Sequence, residues 1–389
     1  MRILQIISGF HPAYAYGGTV KVAYGLSKRL VKRGHDVTVY SSDSFDCSHR
    51  IPCAVSDVEG IRVFYFRNLS NTLAWKYRLF VTPGMLPRMR MEMAEYDVVH
   101  IHDFYTFQNI ITHHYAVKTN VPYVVQAHGS LIPDSGRKNA KMIFNQTIGK
   151  RILQDATQAI ALTETEARRY RLLGMDEQKV VVVPTPVDLQ EYRSTPARGL
   201  FKKRFSLDEE RRIVLYVGRI HQSKGLELLV EAFASAVRKM DNLTLVLVGA
   251  DDGWKPRLDR MIQELGIGKY VLFTGFVSDD ATREAYVDAE VFVTPKYSGF
   301  PSTFLEACAS GTPIVTTTAG DRLDWLDGRA GYTVNPDARQ LENALLRIIG
   351  NNELRTSLGM GGKDLVNKEF SWDSVLDRIE EVYRRATEQ

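Results

Sequence analysis

One turn in the C-terminal half of the sequence combines the residue types that bind anionic oxygens. Gly218 and Arg219 follow an apolar run that ends at Val217, and Lys224 lies just before a helical pattern that begins at Leu226. A turn from a strand into a helix exposes backbone N–H groups, an arginine can bind two oxygens at once, and a lysine adds a point charge. This arrangement predicts a clamp for a diphosphate, and the alternative is two solvated loop cations.

A second turn, within the segment Tyr297 to Pro313, also leads from a strand into a helix. Gly299 opens the turn, and Glu306 lies about one helical turn further on. Free N–H groups at the start of that helix would hold phosphate oxygens, and the carboxylate would accept hydrogen bonds from sugar hydroxyls. The alternative for Glu306 is a solvated carboxylate on a helix surface.

Three polar residues follow strand-like runs in the N-terminal half. His128 comes just after the run Tyr123 to Gln126, and His102 and Asp103 follow the run that begins at Val98. Because α/β proteins bind ligands at the carboxyl ends of their strands, all three are candidate site residues. A histidine satisfied within its own loop is the alternative for His128.

Short apolar runs, most of them followed by a turn and a helical pattern, must position these residues. Runs without strict alternation are typical of parallel strands that are buried on both faces. The predicted strands are Ile3–Ile7, Val37–Tyr40, Val98–Ile101, Tyr123–Val125, Ala159–Leu162 and Val180–Val183, then Ile213–Val217, Leu243–Val248, Val271–Phe273, Val291–Val293 and Pro313–Thr316.

The two series of strands predict an α/β fold with two Rossmann-like, doubly wound domains that face each other across a cleft. We expect the first domain to span residues 1–190 and the second residues 191–371. We expect residues 372–389 to form a terminal helix. This helix can pack on either domain, and one option is that it crosses back to the first.

Composition narrows the classes of function. The chain has 389 residues, 44% of them hydrophobic, and three cysteines, which is too few for a disulfide framework, so we expect a cytoplasmic protein. No signal peptide or spanning segment is visible. Residues 1–190 hold 23 Lys and Arg against 16 Asp and Glu, whereas residues 191–389 hold 27 against 30. The basic first half predicts an anionic partner, such as a membrane surface.

The motifs resemble those of the retaining glycosyltransferases of family 4, which have the GT-B fold, and they lie in order over nearly the whole chain. The matching segments are Gly17–Gly18, Arg33–Val39, Asp97–His102, Ala127–Gly129 and Thr163–Glu166 in the N-terminal half, and Gly218–Ile220, Lys224–Leu226, Leu247–Gly249, Phe273–Val277 and Gly299–Pro313 in the C-terminal half.

The resemblance implies transfer of a hexosyl group from a UDP- or GDP-sugar to a glycan, lipid-linked or small-molecule acceptor. Arg219 and Lys224 would stabilise the leaving diphosphate, and His128 would contact the transferred sugar. The other implied donor-binding residues are Gly17, Gly18, Val277, Ser298, Gly299, Phe300, Ser302, Thr303 and Glu306. His102 and Asp103 would face the acceptor.

We expect neither a cofactor nor a metal. No Asp-x-Asp motif occurs. His113 and His114 are adjacent on a helical pattern, so their side chains diverge and cannot bind one metal ion together with the other histidines. We expect no nucleic-acid partner. Cations and large apolar residues alternate over residues 67–90, which predicts peripheral contact with the inner face of a membrane; ordinary core helices are the alternative.

One position departs from the family pattern. Ser298 stands eight residues before Glu306, where the family usually has its first glutamate, and a serine supplies no carboxylate. This departure motivates one alternative, a nucleotide- or sugar-binding protein of the same fold that has lost turnover. A second enzyme alternative is a GT-B nucleotide-sugar epimerase or a polysaccharide synthase. A dehydrogenase is disfavoured because no strand precedes a Gly-x-Gly-x-x-Gly motif.

Overall fold

The computed structural model describes residues 1–131, 138–192, 194–297, 300–320 and 323–388, without the side chains of 138–140. It divides into two compact units. The first contains Met1–Thr185 and the chain from Val375 onward, and the second contains Pro186–Ser374.

The first unit contains a sheet of eight strands among the described residues. Its strand order is β3-β4-β2-β1-β5-β6-β7-β8, and every pairing is parallel except that of β3 with β4. The strands are β1 (Arg2–Ile6), β2 (Asp36–Ser42), β3 (Val55–Val58), β4 (Ile61–Phe66), β5 (Val98–His102), β6 (Tyr123–Gln126), β7 (Gln158–Ala161) and β8 (Val180–Val182).

Helices connect these strands and cover the sheet. In the first helix Val20, Leu26 and Leu30 are buried, while the cation Lys32 lies near the end that the helix dipole makes negative. The helices are α1 (Gly18–Lys32), α2 (Asn71–Tyr77), α3 (Met85–Glu92), α4 (Phe107–Thr119), α5 (Lys138–Phe144), α6 (Lys150–Asp155) and α7 (Glu164–Leu172), with a π-helix at Asn145–Gly149 and 3₁₀ turns at Tyr14–Tyr16, Met93–Glu95 and Glu177–Lys179.

The second unit contains a parallel sheet with the order β11-β10-β9-β12-β13-β14. Its central strands are buried along almost their whole length, as their continuous apolar runs predict. The strands are β9 (Arg212–Val217), β10 (Leu243–Val248), β11 (Val271–Gly275), β12 (Ala289–Thr294), β13 (Ile314–Thr317) and β14 (Gly331–Val334).

The helices of the second unit pack on both faces of this sheet. They are α8 (Leu200–Arg204), α9 (Leu226–Lys239), α10 (Lys255–Glu264), α11 (Asp279–Asp288), α12 (Ser302–Ser310), α13 (Ala338–Ile349) and α14 (Asn352–Glu369), with 3₁₀ turns at Leu189–Tyr192, Gln222–Lys224 and Gly268–Tyr270. The two Rossmann-like α/β units are those that the sequence predicts.

The last helix, α15 (Trp372–Thr387), packs against the first unit from Val375 onward. Its Tyr383 hydroxyl lies 2.7 Å from His100 Nδ1, and its Glu380 carboxylate pairs with Arg33 and lies 2.8 Å from His35 Nε2. Apolar residues of the helix are buried beside these contacts. Burial of apolar side chains therefore stabilises the packing of this helix, and the polar pairs determine where along the unit it packs.

Strand connections reverse direction at one point in each sheet. In the first sheet, the strands that follow β1 in sequence lie on one side of it, and those that follow β5 lie on the opposite side. In the second sheet, the strands that follow β9 and β12 are divided in the same way. Loops that follow such a pair of neighbouring parallel strands diverge, and ligands of open α/β sheets bind in the opening between them. These two reversal points locate the candidate sites.

Two glycines allow the loops after β9 and β10 to lie against each other. Gly249 has a φ of +141°, and a Cβ at this position would overlap the carbonyl oxygen of Gly218. Close backbone packing here holds the turn that contains Arg219 against its neighbour, because Ile220 and Ala250 are joined by a backbone hydrogen bond of 2.9 Å.

We expect Gly249→Ala to destabilise the protein by about 3–4 kcal/mol, because it adds an overlap to an unfavourable backbone conformation. Gly253→Ala is the matched control: its φ is +84°, but the space around its Cβ is open. It should cost only about 1–2 kcal/mol. Urea unfolding of both variants measures the difference, and equal losses would contradict the close approach.

Candidate functional site

A cavity of about 470 Å³ lies at the reversal point of the first sheet. The loops that follow β1 and β5 form much of its wall, and the segment after α2 and part of α5 complete it. Its lining residues are Ile7, Ser8, Gly9, Tyr16, Thr19, Val20, Tyr77, Arg78, Leu79, Phe80, Asp103, Phe104, Tyr105, Thr106, Ser130, Lys141 and Phe144.

Asp103 contributes the carboxyl group of this cavity. Burial raises its pKa to about 6, and the charge of Arg78 opposes that shift. The side chain of Asn109 donates to the backbone oxygens of Asp103 at 3.1 Å and Phe104 at 3.0 Å, which holds the loop. The carboxyl group can therefore donate or accept a hydrogen bond near neutral pH.

Two cations line the same cavity over aromatic rings. The Arg78 guanidinium lies 5.3 Å from the ring centre of Tyr16, and the Lys141 ammonium lies 4.8 Å from that of Tyr105. Such packing holds each cation against the wall of the cavity. Neither cation is predicted from the sequence as a site residue: Arg78 lies in the segment 67–90, whose composition predicts membrane contact, and nothing in the sequence around Lys141 distinguishes it.

Buried groups on α7 hold the loop that carries His128. The Tyr170 hydroxyl accepts the N–H of Ala127 at 2.8 Å. The buried Glu166 carboxylate accepts two further N–H groups, from Gly129 at 2.6 Å and from Leu162 at 2.7 Å. Burial lowers the pKa of His128 to about 4, so its imidazole is neutral at physiological pH.

His102 lies behind His128 rather than in the cavity. It is fully buried, with Nδ1 2.9 Å from His128 Nε2 and Nε2 2.9 Å from the Gln5 side-chain oxygen. Both ring nitrogens therefore have a partner, and His102 does not line the cavity. That His102 faces an acceptor stays a prediction. Burial also lowers the pKa of His102 well below its usual value.

Gly17 and Gly18 lie exposed at the start of α1, a helix with no side-chain cap. Gly17 has a φ of +110°, and the space beside its Cα is open. Small, exposed residues at this helix start leave room for a ligand to approach the backbone. That Gly17 and Gly18 contact a donor stays a prediction.

The second reversal point brings the cationic turn after β9 beside the loop after β12. Arg219 pairs with Asp252 at 2.6 Å in an exposed position, which is a weak interaction. Lys224 is half-buried, and burial followed by the charge of Arg219 lowers its pKa. A Cβ on Gly225 would lie 3.3 Å from the Cβ of Lys296, so the two loops touch.

The loop after β12 leads into α12, which no side chain among the described residues caps. Ser302 is exposed and Thr303 is half-buried at its first turn. The half-buried Phe300 ring packs against Phe370, with ring centres 5.8 Å apart. Ser298 and Gly299 lie outside the described residues.

Glu306 lies further along α12 between two tyrosines. The Tyr286 hydroxyl donates to its Oε2 at 3.1 Å. Burial and the Glu306 charge raise the pKa of both Tyr286 and Tyr192. The structure thus anchors the Glu306 carboxylate, a constraint that the sequence did not reveal.

Val277, after β11, is half-buried and packs against the core of the unit.

Residues 67–90 combine buried and exposed apolar side chains. Leu69, Trp75 and Tyr77 are exposed, whereas Met85 and Met89 are buried. Among the helices of the described residues, none has both the length and the apolarity to cross a bilayer. Membrane contact through this segment stays a prediction.

Within the described ranges, no three His, Cys, Asp or Glu side chains are grouped as the ligands of a metal ion would be. The absence of a metal from the reaction stays a prediction.

Two family models match successive parts of the chain. The model described as glycosyltransferase family 4 matches residues 16–191, and the model described as glycosyl transferases group 1 matches residues 198–365. Together they span both units.

Individual proteins match over almost the full length. An uncharacterised glycosyltransferase of Methanocaldococcus jannaschii is 25% identical, covering 99% of this chain and 98% of its own. The D-inositol 3-phosphate glycosyltransferase of Kineococcus radiotolerans is 26% identical over 96% of this chain and 91% of its own. The fold matches that of a sucrose-phosphate synthase from Thermosynechococcus elongatus with a TM-score of 0.72 at 21% identity, covering 99% and 98% of the two chains.

We expect Glu166→Gln to destabilise the protein by about 2–3 kcal/mol. An amide oxygen can accept only one of the two N–H groups cleanly, and the amide nitrogen would face the other. Glu164→Gln is the matched control on the same helix, since Glu164 makes a partly exposed pair with Arg171 at 2.9 Å. It should cost less than about 1 kcal/mol. Equal losses in urea unfolding would contradict a supporting role for Glu166.

The raised pKa of Asp103 predicts a pH dependence of stability. Between about pH 4 and pH 6 the folded protein keeps a proton on Asp103 that the unfolded chain, with a pKa of 3.8, releases. Stability therefore falls as the pH rises through this range, by up to about 3 kcal/mol. Asp103→Asn should remove this contribution, so the free energies of unfolding of the two proteins should diverge with pH. A constant difference would contradict the shift.

Proposed function

Because this chain belongs to glycosyltransferase family 4 and has the GT-B fold, we propose that it transfers a hexosyl group from a UDP- or GDP-linked sugar to an acceptor hydroxyl, with retention of anomeric configuration. The acceptor is a glycan, a lipid-linked sugar or a small polyol. The second unit binds the donor nucleotide, and the first unit binds the acceptor.

The observation that carries this proposal is the pair of touching loops at the reversal point of the second sheet. One loop supplies Arg219 and Lys224, and the other leads to the uncapped start of α12. Two cations and free helix N–H groups in one place suit a diphosphate. Partial burial of Lys224 strengthens its attraction to an anion, because less water screens the charge.

The same unit would bind the rest of the donor nucleotide. Glu306 accepts hydrogen bonds from the ribose hydroxyls, and the tyrosine that donates to it holds one carboxylate oxygen in place. Val277 lines the pocket of the base. Backbone N–H groups of Phe300, Ser302 and Thr303 contact the phosphate and the sugar, joined by Ser298 and Gly299.

The cavity of the first unit is the proposed acceptor site. Asp103 hydrogen-bonds the acceptor hydroxyls, while Arg78 and Lys141 attract an anionic group on the same molecule. The name of the relative from Kineococcus radiotolerans gives D-inositol 3-phosphate as its acceptor, a polyol that carries a phosphate. A hydroxylated, anionic acceptor fits this combination of a carboxyl group with two cations.

The proposed chemistry needs no protein nucleophile. The bond between the anomeric carbon and the phosphate oxygen breaks, and the acceptor oxygen bonds to the same face of that carbon. The acceptor proton passes to the leaving diphosphate, whose charge Arg219 and Lys224 stabilise. His128 contacts the transferred sugar, and Gly17 and Gly18 leave space for the phosphates. No metal takes part in the proposed reaction.

A binding protein without turnover is the second candidate, because Ser298 replaces a carboxylate that the family pattern includes. Turnover by the native protein would exclude it. If the native protein is inactive and Ser298→Glu gains donor turnover, loss of function at this position is supported.

Arg219→Ala and Lys224→Ala should each weaken binding of UDP or GDP and lower turnover by roughly 10- to 150-fold, the effect of losing one charged contact. Titration calorimetry measures the affinity. Arg238→Ala is the matched control, because this exposed cation lies at the opposite end of α9 from the clamp. It should leave binding unchanged. Unchanged affinity and rate in both clamp variants would contradict the site.

A further inference from the structure

Gln5 is an exception within its strand. It is fully buried in β1, which lies between β2 and β5. Its neighbours in the strand, Ile3, Leu4 and Ile6, are all apolar. A buried amide in the centre of a parallel sheet is unfavourable unless it makes hydrogen bonds. Its oxygen bonds to His102, which points to a purpose for this pair other than packing.

With the Gln5 amide oxygen facing His102, and its amide nitrogen without a hydrogen bond to a described residue, the three side chains form one directed chain of hydrogen bonds. An amide oxygen can only accept, so the proton of the 2.9 Å contact between Gln5 and His102 lies on His102 Nε2. A neutral imidazole has one N–H, which leaves His102 Nδ1 as an acceptor. The 2.9 Å contact with His128 then requires the proton to be on His128 Nε2.

We propose that Gln5 and His102 are positioning residues that fix the tautomer of His128, so that its Nδ1 carries a lone pair and accepts a hydrogen bond from a hydroxyl of the transferred sugar. The contact with the sugar rests on the proposed function; the tautomer does not. His128 Nδ1 has no hydrogen bond to a described residue, and the ring is partly exposed.

The electrostatics of the cluster agree with this direction. Burial lowers the pKa of His102, His128 and the stacked His100, so all three rings are neutral at physiological pH. A neutral ring can relay the direction of a hydrogen bond, whereas an imidazolium donates from both nitrogens. A sugar hydroxyl that meets Nδ1 must therefore donate, and a substituent without a donor is rejected.

Nitrogen-15 NMR of the full chain, labelled at its histidine rings and free of substrate, tests the tautomer directly. Protonated and bare ring nitrogens resonate far apart, and a His128→Asn sample identifies the signals of His128. We expect a protonated Nε2 and a bare Nδ1 in the native protein. Gln5→Met and His102→Leu should each give a mixture of tautomers at His128.

Tyr383→Phe is the matched control. It deletes a buried hydroxyl that bonds to His100, the ring stacked on His102, but it lies outside the chain of three side chains. It should leave the His128 signals and the activity unchanged. A protonated Nδ1 in the native protein, or a bare Nδ1 that persists in both Gln5→Met and His102→Leu, would overturn the proposal.

Kinetics test the contact with the sugar. We expect His102→Leu to lower kcat/KM about 3- to 10-fold, the effect of one neutral hydrogen bond, and His102→Asn to restore most of it, because its amide oxygen can accept where Nδ1 did. With the one donor that lacks the hydroxyl bound by Nδ1, native protein and His102→Leu should react equally fast.

An equal loss with every donor in a series of single-deoxy sugars would show a merely structural role for His102 and overturn the contact. Absence of turnover with any donor would instead contradict the proposed function, and the NMR measurement would still decide the tautomer.

Discussion

Reversal of the strand connections in a parallel sheet is the constraint on which both candidate sites depend. Neighbouring strands β1 and β5, and likewise β9 and β12, send their loops in opposite directions. Backbone N–H groups and polar side chains can point into the opening that results, while the strands below stay buried and rigid. The cavity of the first unit and the cationic turn of the second, which we propose as the acceptor site and the diphosphate clamp, are two uses of the same geometry, each within one unit.

Burial then determines the protonation state of the groups at these openings. It keeps His100, His102 and His128 neutral, raises the pKa of Asp103 to about 6, and lowers that of Lys224. Neutral His102 and His128 can direct a hydrogen bond, and a carboxyl group near its pKa can donate or accept one. The fold thus sets chemical properties that the residue types alone leave open.

The sequence predicted the two Rossmann-like units because their central strands are continuous apolar runs. It did not predict β3, which is short and largely exposed at the sheet edge, or β14, which has four residues and no apolar run. It also missed β4, although the buried residues Val63 to Tyr65 form a short apolar run. Arg78 and Lys141 escaped prediction because separate segments bring them together. The contact between His102 and His128 could not be predicted either, because a strand end does not reveal which side chain covers it.

The central claim is retaining transfer from a nucleotide sugar, and anomer-resolved proton NMR tests it most directly. The purified chain is incubated with single UDP- and GDP-sugars without acceptor, so that water replaces the acceptor. We expect slow release of the nucleoside diphosphate, UDP or GDP, from one donor. The free sugar should appear first in the anomeric configuration of that donor. Initial release of the opposite anomer would contradict it.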